Sequence, residues 1–569
     1  MNVAAVLMEI LRSSGVRYLF GNPGTTELTF LDALPDSGLE YIVGLQEATA
    51  MAAADGYAQA SGQVGVVNLH VLPGVANGVS ILHNASKTHS PLIVTAGQQD
   101  TRLLLDEPIL SGDMVRLTES FTKWSYEVRH ADEAPVAMRR ALKLALTPPT
   151  GPVFLSLPMD VMTQVVEDNA APMADVRATS APDPAAVERA VELLVSAKSP
   201  LIIAGDGIAR ARALPALVAL AERLGARVHG EPIYRRTVFP GDHALWRGGL
   251  YPTVPAVRKA LDNADAVLVV GAAMFTWFLQ APGTAVPPSL PLVQVGDDAW
   301  EIGKSHRISL GVVAGVEPTL RALDAALAAR MSEPQRAAAR ARNAELGKAR
   351  AGLVAQARAA AEADAARTPI TAAFLMHTLG TLLSSDAIVV DESASSLGHV
   401  LRHLPLAAPD SFFSSKTGTL GWAMGAALGV QLAYPTRKVV ATVGDGSVMY
   451  APQALWTAAH YKLPVTYVVP NNSSYAILKA GMLGFGLASA KNGIFPGMDL
   501  VDPVIDYVAL ARALGVKAER VEKPGELRDV LAASLAHPGP SLVDVAIERG
   551  GHTAQDPHTP SDRGFKALG

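Results

Sequence analysis

Lys438-Val-Val-Ala-Thr-Val443 is a β-branched run that stops at Gly444-Asp445-Gly446-Ser447, and a second run, Val465-Thr-Tyr-Val-Val469, stops at Pro470-Asn471-Asn472-Ser473-Ser474. Short, nearly uncharged runs of this kind read as strands of a parallel sheet buried on both faces. Asp445 and Asn472 are 27 residues apart, room for one helix and one strand. Both side chains are therefore expected at the carboxyl ends of neighbouring parallel strands, where open α/β sheets bind their ligands. A carboxylate, an amide oxygen and a backbone carbonyl at Ser474 make an oxygen site for Mg²⁺ (or Ca²⁺), which takes its other ligands from water and a diphosphate. A helix expected after Gly446 would add N–H groups, with Ser447 beside them, and a positive dipole end for the same phosphates. The chain carries its own control: Gly205-Asp206-Gly207 also follows an apolar run, but no Asn pair follows it at the matching distance. That copy reads as a tight strand-to-helix turn.

The same alternation of short apolar runs and helical stretches extends outward through the chain and predicts an α/β fold with three doubly wound parallel-sheet domains. Strands are expected at 18–20, 64–69, 91–95, 153–157, 200–204, 266–270, 292–295, 387–390, 439–443, 464–469 and 541–545. They divide into an N-terminal domain over 1–175, a central Rossmann-like domain over 183–330 and a C-terminal domain over 368–569. A Pro- and Ala-containing linker, Gln164 to Pro184, separates the first two. A long Ala/Arg-rich helix, about Glu333 to Arg367, joins the last two and reads as a solvated connector rather than a cationic ligand stripe. The segment from Gly550 to Gly569 has no periodicity and reads equally as a disordered tail or a flap over a site.

Composition narrows the function. The 569 residues are 49% hydrophobic and 18% charged with a net charge of −5, a globular balance without the basic blocks that nucleic acid or anionic membrane would select. Zero cysteines exclude disulfides, thiolate nucleophiles and Cys-ligated metals. No signal peptide and no membrane span are read, so a cytoplasmic location is the expectation. Two further residues stand out. Glu47, in Gly44-Leu45-Gln46-Glu47, opens an Ala-rich helix in surroundings that look buried; alone, a Glu at a helix start is more often a cap or dipole partner. His70 directly follows a strand and precedes a Gly-containing turn, where a lone histidine is ordinarily structural.

Gly444-Asp445-Gly446 with its distant Asn pair resembles the diphosphate-binding motif of thiamine-diphosphate enzymes, within the pyruvate-oxidase-like superfamily. The benzoylformate decarboxylase family is the closest match, and the likeness covers nearly the whole chain, the central domain least. It is carried by Phe20-Gly-Asn-Pro-Gly24-Thr25-Thr26-Glu27-Leu28, Asn68-Leu69-His70, Asn84-Ala-Ser-Lys-Thr-His89-Ser-Pro91, Gly418-Thr-Leu420-Gly421-Trp422 and Leu455-Trp-Thr-Ala-Ala-His460. The resemblance implies thiamine diphosphate as cofactor, with Glu47 facing N1′ of its aminopyrimidine and His70 transferring protons. It further implies the Gly418 carbonyl as acceptor for the 4′-amino group, Leu420 as the wedge beneath the bent cofactor, and Gly444, Ser474 and Tyr475 among the cofactor contacts. Thr25 falls where the family has a substrate-contacting Ser. Leu110, Phe278, Ile477 and Leu478 are assigned to the substrate pocket, while His89 is left structural.

Two departures bear on substrate. The family's second catalytic His aligns with Phe278, leaving His552 or His558 of the tail as alternative proton carriers. The segment after Asn472 is about five residues longer than the family's and lacks its aromatic pair. The leading expectation is a lyase that decarboxylates a benzoylformate-like 2-oxo acid to an aldehyde, with carboligation to a second aldehyde. The runner-up is a 2-hydroxyacyl-CoA lyase or related acyl-CoA decarboxylase. Acetolactate-synthase-like transfer and a non-catalytic paralogue are less favoured. Family architecture implies a homo-oligomer, dimer or tetramer, with active sites between subunits.

Overall fold

The computed structural model describes residues 1–167, 170–176, 178–278 and 280–549. The 550–569 segment, including His552 and His558, lies outside them. Three six-stranded sheets follow one another along the chain, and every recorded strand pairing is parallel. The first holds β1 (Tyr18–Gly21), β2 (Glu40–Val43), β3 (Gly65–Leu69), β4 (Leu92–Gln98), β5 (Ser125–Glu127) and β6 (Val153–Pro158), in the order β2-β1-β3-β4-β6-β5. The second holds β7 (Pro200–Ala204), β8 (Arg227–Gly230), β9 (Trp246–Gly249), β10 (Ala266–Val270), β11 (Leu292–Gly296) and β12 (Leu310–Val313), in the order β12-β11-β10-β7-β8-β9. The third holds β13 (Ile388–Glu392), β14 (Phe412–Ser414), β15 (Val439–Val443), β16 (Thr466–Asn471), β17 (Lys517–Val521) and β18 (Ser541–Ala546), in the order β14-β13-β15-β16-β18-β17.

The first and third sheets thus share one strand order, and the second has the order of a dinucleotide-type doubly wound sheet. The α/β class is as the sequence implies. All eleven expected strands are present, and each is an interior strand of its sheet. Seven further strands were not anticipated. Six of them (β2, β5, β9, β12, β14, β17) are sheet edges, and β8 lies one strand in. β3, β10 and β15 are buried at every residue, whereas β2 and β12 are half exposed. A strand covered on both faces must be apolar throughout; an edge strand has no such demand.

The connector helix runs Glu333–Ala363, with Gln335 Oε1 accepting from the Ser332 N–H at 2.8 Å as its N-terminal cap. Only Ala339 and Ala361 on it are buried, as a solvated connector requires. Two of its arginines nonetheless work as clamps on the central domain: Arg342 donates to the Leu224 carbonyl and Arg350 to the Gly241 carbonyl, each at 2.6 Å.

The first and third sheets meet through two helices, Glu47–Ser61 and Trp422–Ala433. Both are almost entirely buried, and small residues let them touch backbone to backbone. A Cβ added at Gly429 would overlap the Ala53 carbonyl oxygen, and one at Gly425 would stand 2.6 Å from that of Thr49. Asp55 pins the crossing, accepting from Trp422 Nε1 at 2.7 Å, Asn84 Nδ2 at 2.9 Å and Gln59 Nε2 at 3.0 Å.

Candidate active site

In the third sheet the site is built on the ends of β15 and β16. Asp445 is 5% exposed. Its Oδ1 accepts from the Gly446 N–H at 2.8 Å, while its Oδ2 is buried without a hydrogen-bond partner. Burial pushes the carboxyl up to about 6, opposed by the N–H groups of Gly446, Ser473, Ser474 and Asn472. The Asp445 and Asn472 segments are therefore in contact. Asn472 Oδ1 accepts from the Ser474 N–H at 3.0 Å, and the Ser474 hydroxyl donates to the Met498 carbonyl at 3.0 Å. Tyr475 packs so closely on Gly446 that a Cβ there would stand 2.5 Å from its ring. The helix expected after Gly446 is only Asp445–Val448, four residues. Its N–H groups are in place, but so few aligned peptides build no macrodipole, and that expectation is corrected.

Glu392, the last residue of β13, had drawn no attention in the sequence. Its carboxylate accepts from the N–H groups of Gly421 at 2.6 Å and Ala423 at 2.7 Å. Burial pushes it up to about 8 against those two bonds and one from the Ser447 hydroxyl. It thereby joins the loop of Gly418 and Leu420 to the Gly444–Ser447 turn. Gly418 has φ +72°, a left-handed conformation that suits glycine.

In the first sheet the site lies beyond β1 and β3, the point where the strand order reverses and doubly wound folds bind ligands. His70 follows β3, and its Nδ1 is 2.8 Å from Glu27 Oε2 and 3.2 Å from Thr26 Oγ1. Glu27 is 1% exposed and is fixed by the N–H groups of Gly24 at 3.0 Å and Gly97 at 2.8 Å. This carboxylate–imidazole pair was also missed. Glu27 stands inside the quoted Phe20–Leu28 segment, but nothing in the sequence says that a buried turn aims it at a histidine 43 residues away. Gly24 has to be glycine, since a Cβ there would overlap the His70 ring.

Glu47 is the first residue of its helix, with Gln46 as the N-cap. It is partly exposed rather than buried, because burial on this helix begins at Thr49. Its carboxylate accepts from Asn77 Nδ2 at 3.0 Å and from Asn22 Nδ2 at 3.4 Å. A Cβ at Gly74 would lie 3.6 Å from both Glu47 Oε1 and His70 Cβ, so the two residues flank one glycine.

Family models describe three parts of the chain: the thiamine pyrophosphate enzyme N-terminal TPP binding domain at residues 1–117, the central domain at 187–323 and the C-terminal TPP binding domain at 394–545. The protein is a thiamine pyrophosphate enzyme. It is 35% identical to a benzoylformate decarboxylase of Pseudomonas aeruginosa, over 95% of this chain and 98% of that one. It is 27% identical to the large subunit of acetolactate synthase isozyme 3 of Escherichia coli, over 96% of this chain and 95% of that one. Among solved structures, the thiamine diphosphate-dependent 4-hydroxybenzoylformate decarboxylase of Rhodococcus jostii RHA1 superposes with a TM-score of 0.85 at 31% identity, over 97% of this chain and all of the other. Benzoylformate decarboxylase from Polynucleobacter necessarius gives 0.85 at 30%, over 96% and 99%.

Other expected residues of this thiamine pyrophosphate enzyme stand apart. Thr25 is exposed on the turn Thr25–Glu27, and it is its neighbour Thr26 that reaches His70. Leu110 is 37% exposed, Ile477 42%, Leu478 51% and Phe278 68%. No described hydrogen bond or ring contact joins any of these four to His70. His89 is pushed down to about 3 by burial and by nearby Arg210, consistent with a structural role. In the Gly205-Asp206-Gly207 copy, Asp206 accepts from the N–H groups of Arg235 at 2.7 Å and Arg236 at 3.1 Å. It is a turn, as read, and also one half of an ion pair with Lys416. Among the described residues no trio of His, Cys, Asp or Glu forms a metal cluster, and no helix is long and apolar enough to cross a membrane.

Proposed function

We propose that this protein is a lyase that uses thiamine diphosphate to decarboxylate a 2-oxo acid with an apolar, benzoylformate-like side chain, releasing an aldehyde. The observation that carries the reading is His70 held by buried Glu27 beside Glu47. It gives a proton carrier and a carboxylic acid at one switch point, on a chain 35% identical to a benzoylformate decarboxylase.

Asp445, Asn472 and the Ser474 backbone fit a hard divalent cation such as Mg²⁺. The donors are oxygens, and Asp445 Oδ2 is a buried acceptor with nothing to accept from, which is what a coordinating oxygen looks like before its ion. The Ser447 N–H, with the Gly444 turn, would receive phosphate oxygens, and the Gly446 N–H, which Asp445 Oδ1 holds in the cofactor-free chain, would be shared with them. When bound, thiamine diphosphate supplies the carbanion chemistry that lets a 2-oxo acid lose carbon dioxide. Glu47 would face the aminopyrimidine N1′ and exchange a proton with it, and the Gly418 carbonyl would accept from the 4′-amino group. Leu420 would pack beneath the bound cofactor. His70 moves protons at the reacting carbon, its ring fixed through Nδ1 by Glu27. Thr25, Leu110, Phe278, Ile477 and Leu478 stand exposed within one chain and are assigned to the substrate pocket by resemblance to the family; a homo-oligomer with sites between subunits would enclose them.

Purified protein with thiamine diphosphate and Mg²⁺ should convert benzoylformate to benzaldehyde and carbon dioxide. His70→Ala should lower kcat/KM by roughly 10²–10⁴-fold. Glu47→Gln should bind cofactor yet slow exchange of its C2 proton by roughly two to four orders of magnitude. A chelator should release the cofactor, and Asp445→Ala should not bind it. Cofactor-loaded enzyme that turns over none of a panel of aromatic and aliphatic 2-oxo acids would refute the reading. The acetolactate synthase relatives favour a second one, transfer to a carbonyl acceptor, which the same assay detects as a 2-hydroxyketone when excess aldehyde is present.

A further inference from the structure

The loop Ser415–Leu420 is held from three directions. From the first domain, the Asn84 side-chain oxygen accepts from Ser415 Oγ at 3.1 Å, the Lys416 N–H at 2.9 Å and Thr417 Oγ1 at 3.3 Å. From its own domain, Glu392 takes the N–H groups just beyond it. From the central domain, Asp206 Oδ2 and Glu231 Oε1 each lie 2.8 Å from Lys416 Nζ. Asp206 follows β7 and Glu231 follows β8, at the carboxyl ends of neighbouring strands. The three side chains are 8%, 2% and 11% exposed. An ammonium and two carboxylates in a dry interface gain little over apolar packing, but their directional bonds permit one arrangement only.

We propose that Lys416 is a positioning residue that locks the Gly418–Leu420 loop to the central domain, so that cofactor affinity depends on Asp206 and Glu231. The inference rests on the reading that Gly418 and Leu420 touch the cofactor. With the lock removed, Asn84 and Glu392 still hold the loop's ends, so the domain keeps its fold while the stretch between them samples more than one position. Bound cofactor reimposes one position, so the loss falls on binding rather than on turnover at saturation.

The test is a neutral, near-isosteric variant, Asp206→Asn with Glu231→Gln and Lys416→Met. The two amides keep the bonds that their carboxylates accept from the N–H groups of Arg235, Arg236 and Ala273. With saturating Mg²⁺, KM for thiamine diphosphate should rise at least tenfold while kcat falls less than threefold, and the urea midpoint of cofactor-free protein should stay near wild type. Glu231→Gln alone, which keeps the Asp206 bond, should shift KM in the same direction by a smaller factor, and it stands in if the triple variant does not fold. Wild-type KM in these variants, or a lowered urea midpoint with KM unchanged, overturns the proposal. Leu420→Ala separates the two readings: if it also leaves cofactor affinity and turnover unchanged, the assignment of this loop to the cofactor has failed as well.

Discussion

At Glu27 and Asp445 single carboxylates carry opposite duties. Glu27 accepts from three donors, the N–H groups of Gly24 and Gly97 and the Thr26 hydroxyl, and directs its charge at His70. Glu27→Gln keeps the shape but cannot hold an imidazolium, and kcat/KM for a 2-oxo acid should fall by roughly 10²-fold with the cofactor dissociation constant unchanged. Equal losses in both would mean that the substitution disturbs the β1 turn instead. Asp445 is a cost in the cofactor-free chain, which the proposed ion would offset. Its value of about 6 in the folded chain lies above the ordinary 3.8, so the folded state holds the proton more tightly than the unfolded one. The contribution of Asp445 to the stability of cofactor-free protein therefore falls as pH rises from about 4 to about 6, and above that its penalty is about 3 kcal/mol. Asp445→Asn should raise the urea midpoint of cofactor-free protein at pH 8 and leave it nearly unchanged at pH 4. It should also abolish the stabilisation that cofactor and Mg²⁺ give the wild type. A midpoint shift of equal size at both pH values would contradict the assignment.

Among the elements, the crossing of the Glu47–Ser61 and Trp422–Ala433 helices matters most, because Glu47 stands at the start of one and the Gly418–Leu420 loop feeds the other. Their approach depends on Gly425 and Gly429, where any side chain meets the opposing backbone. Backbone cannot rotate aside as a side chain can, so Gly429→Ala forces the helices apart. It should destabilise the chain by about 3 kcal/mol, read as a lower urea midpoint, and weaken turnover in the fraction that stays folded. Gly352, on the connector helix with open space around its Cα, is the control. Gly352→Ala should be neutral or stabilise by up to about 1 kcal/mol.

On the scale of the whole molecule, several large apolar side chains lie exposed on loops and short helices: Leu105 at 94%, Ile109 at 81%, Tyr450 at 57% and Phe485 at 54%. In the proposed homo-oligomer, these are side chains that a second chain would cover. Tyr450→Arg should shift sedimentation toward smaller species and lower activity in parallel, with activity partly recovered at high protein concentration. A fully active monomer across the concentration range would rule out sites shared between subunits.

Much of this was legible in the sequence. β10 and β15 had to be apolar from end to end because they are covered on both faces, so their runs were visible, and Gly444-Asp445-Gly446 marked where one of them stopped. That Asp445 and Asn472 lie at the carboxyl ends of neighbouring strands, β15 and β16, followed from strand spacing alone. Edge strands such as β2 and β17 stayed hidden because half of each faces water, where composition is unconstrained. Glu27, Glu392 and Lys416 were silent for a different reason: each takes its meaning from partners distant in the chain, and a lone charged residue reads as surface until packing buries it. Local pattern determined which segments become strands and where their ends lie. Tertiary structure decided which charges are dry and which histidine a carboxylate faces, because burial and long-range pairing are properties of the assembled chain.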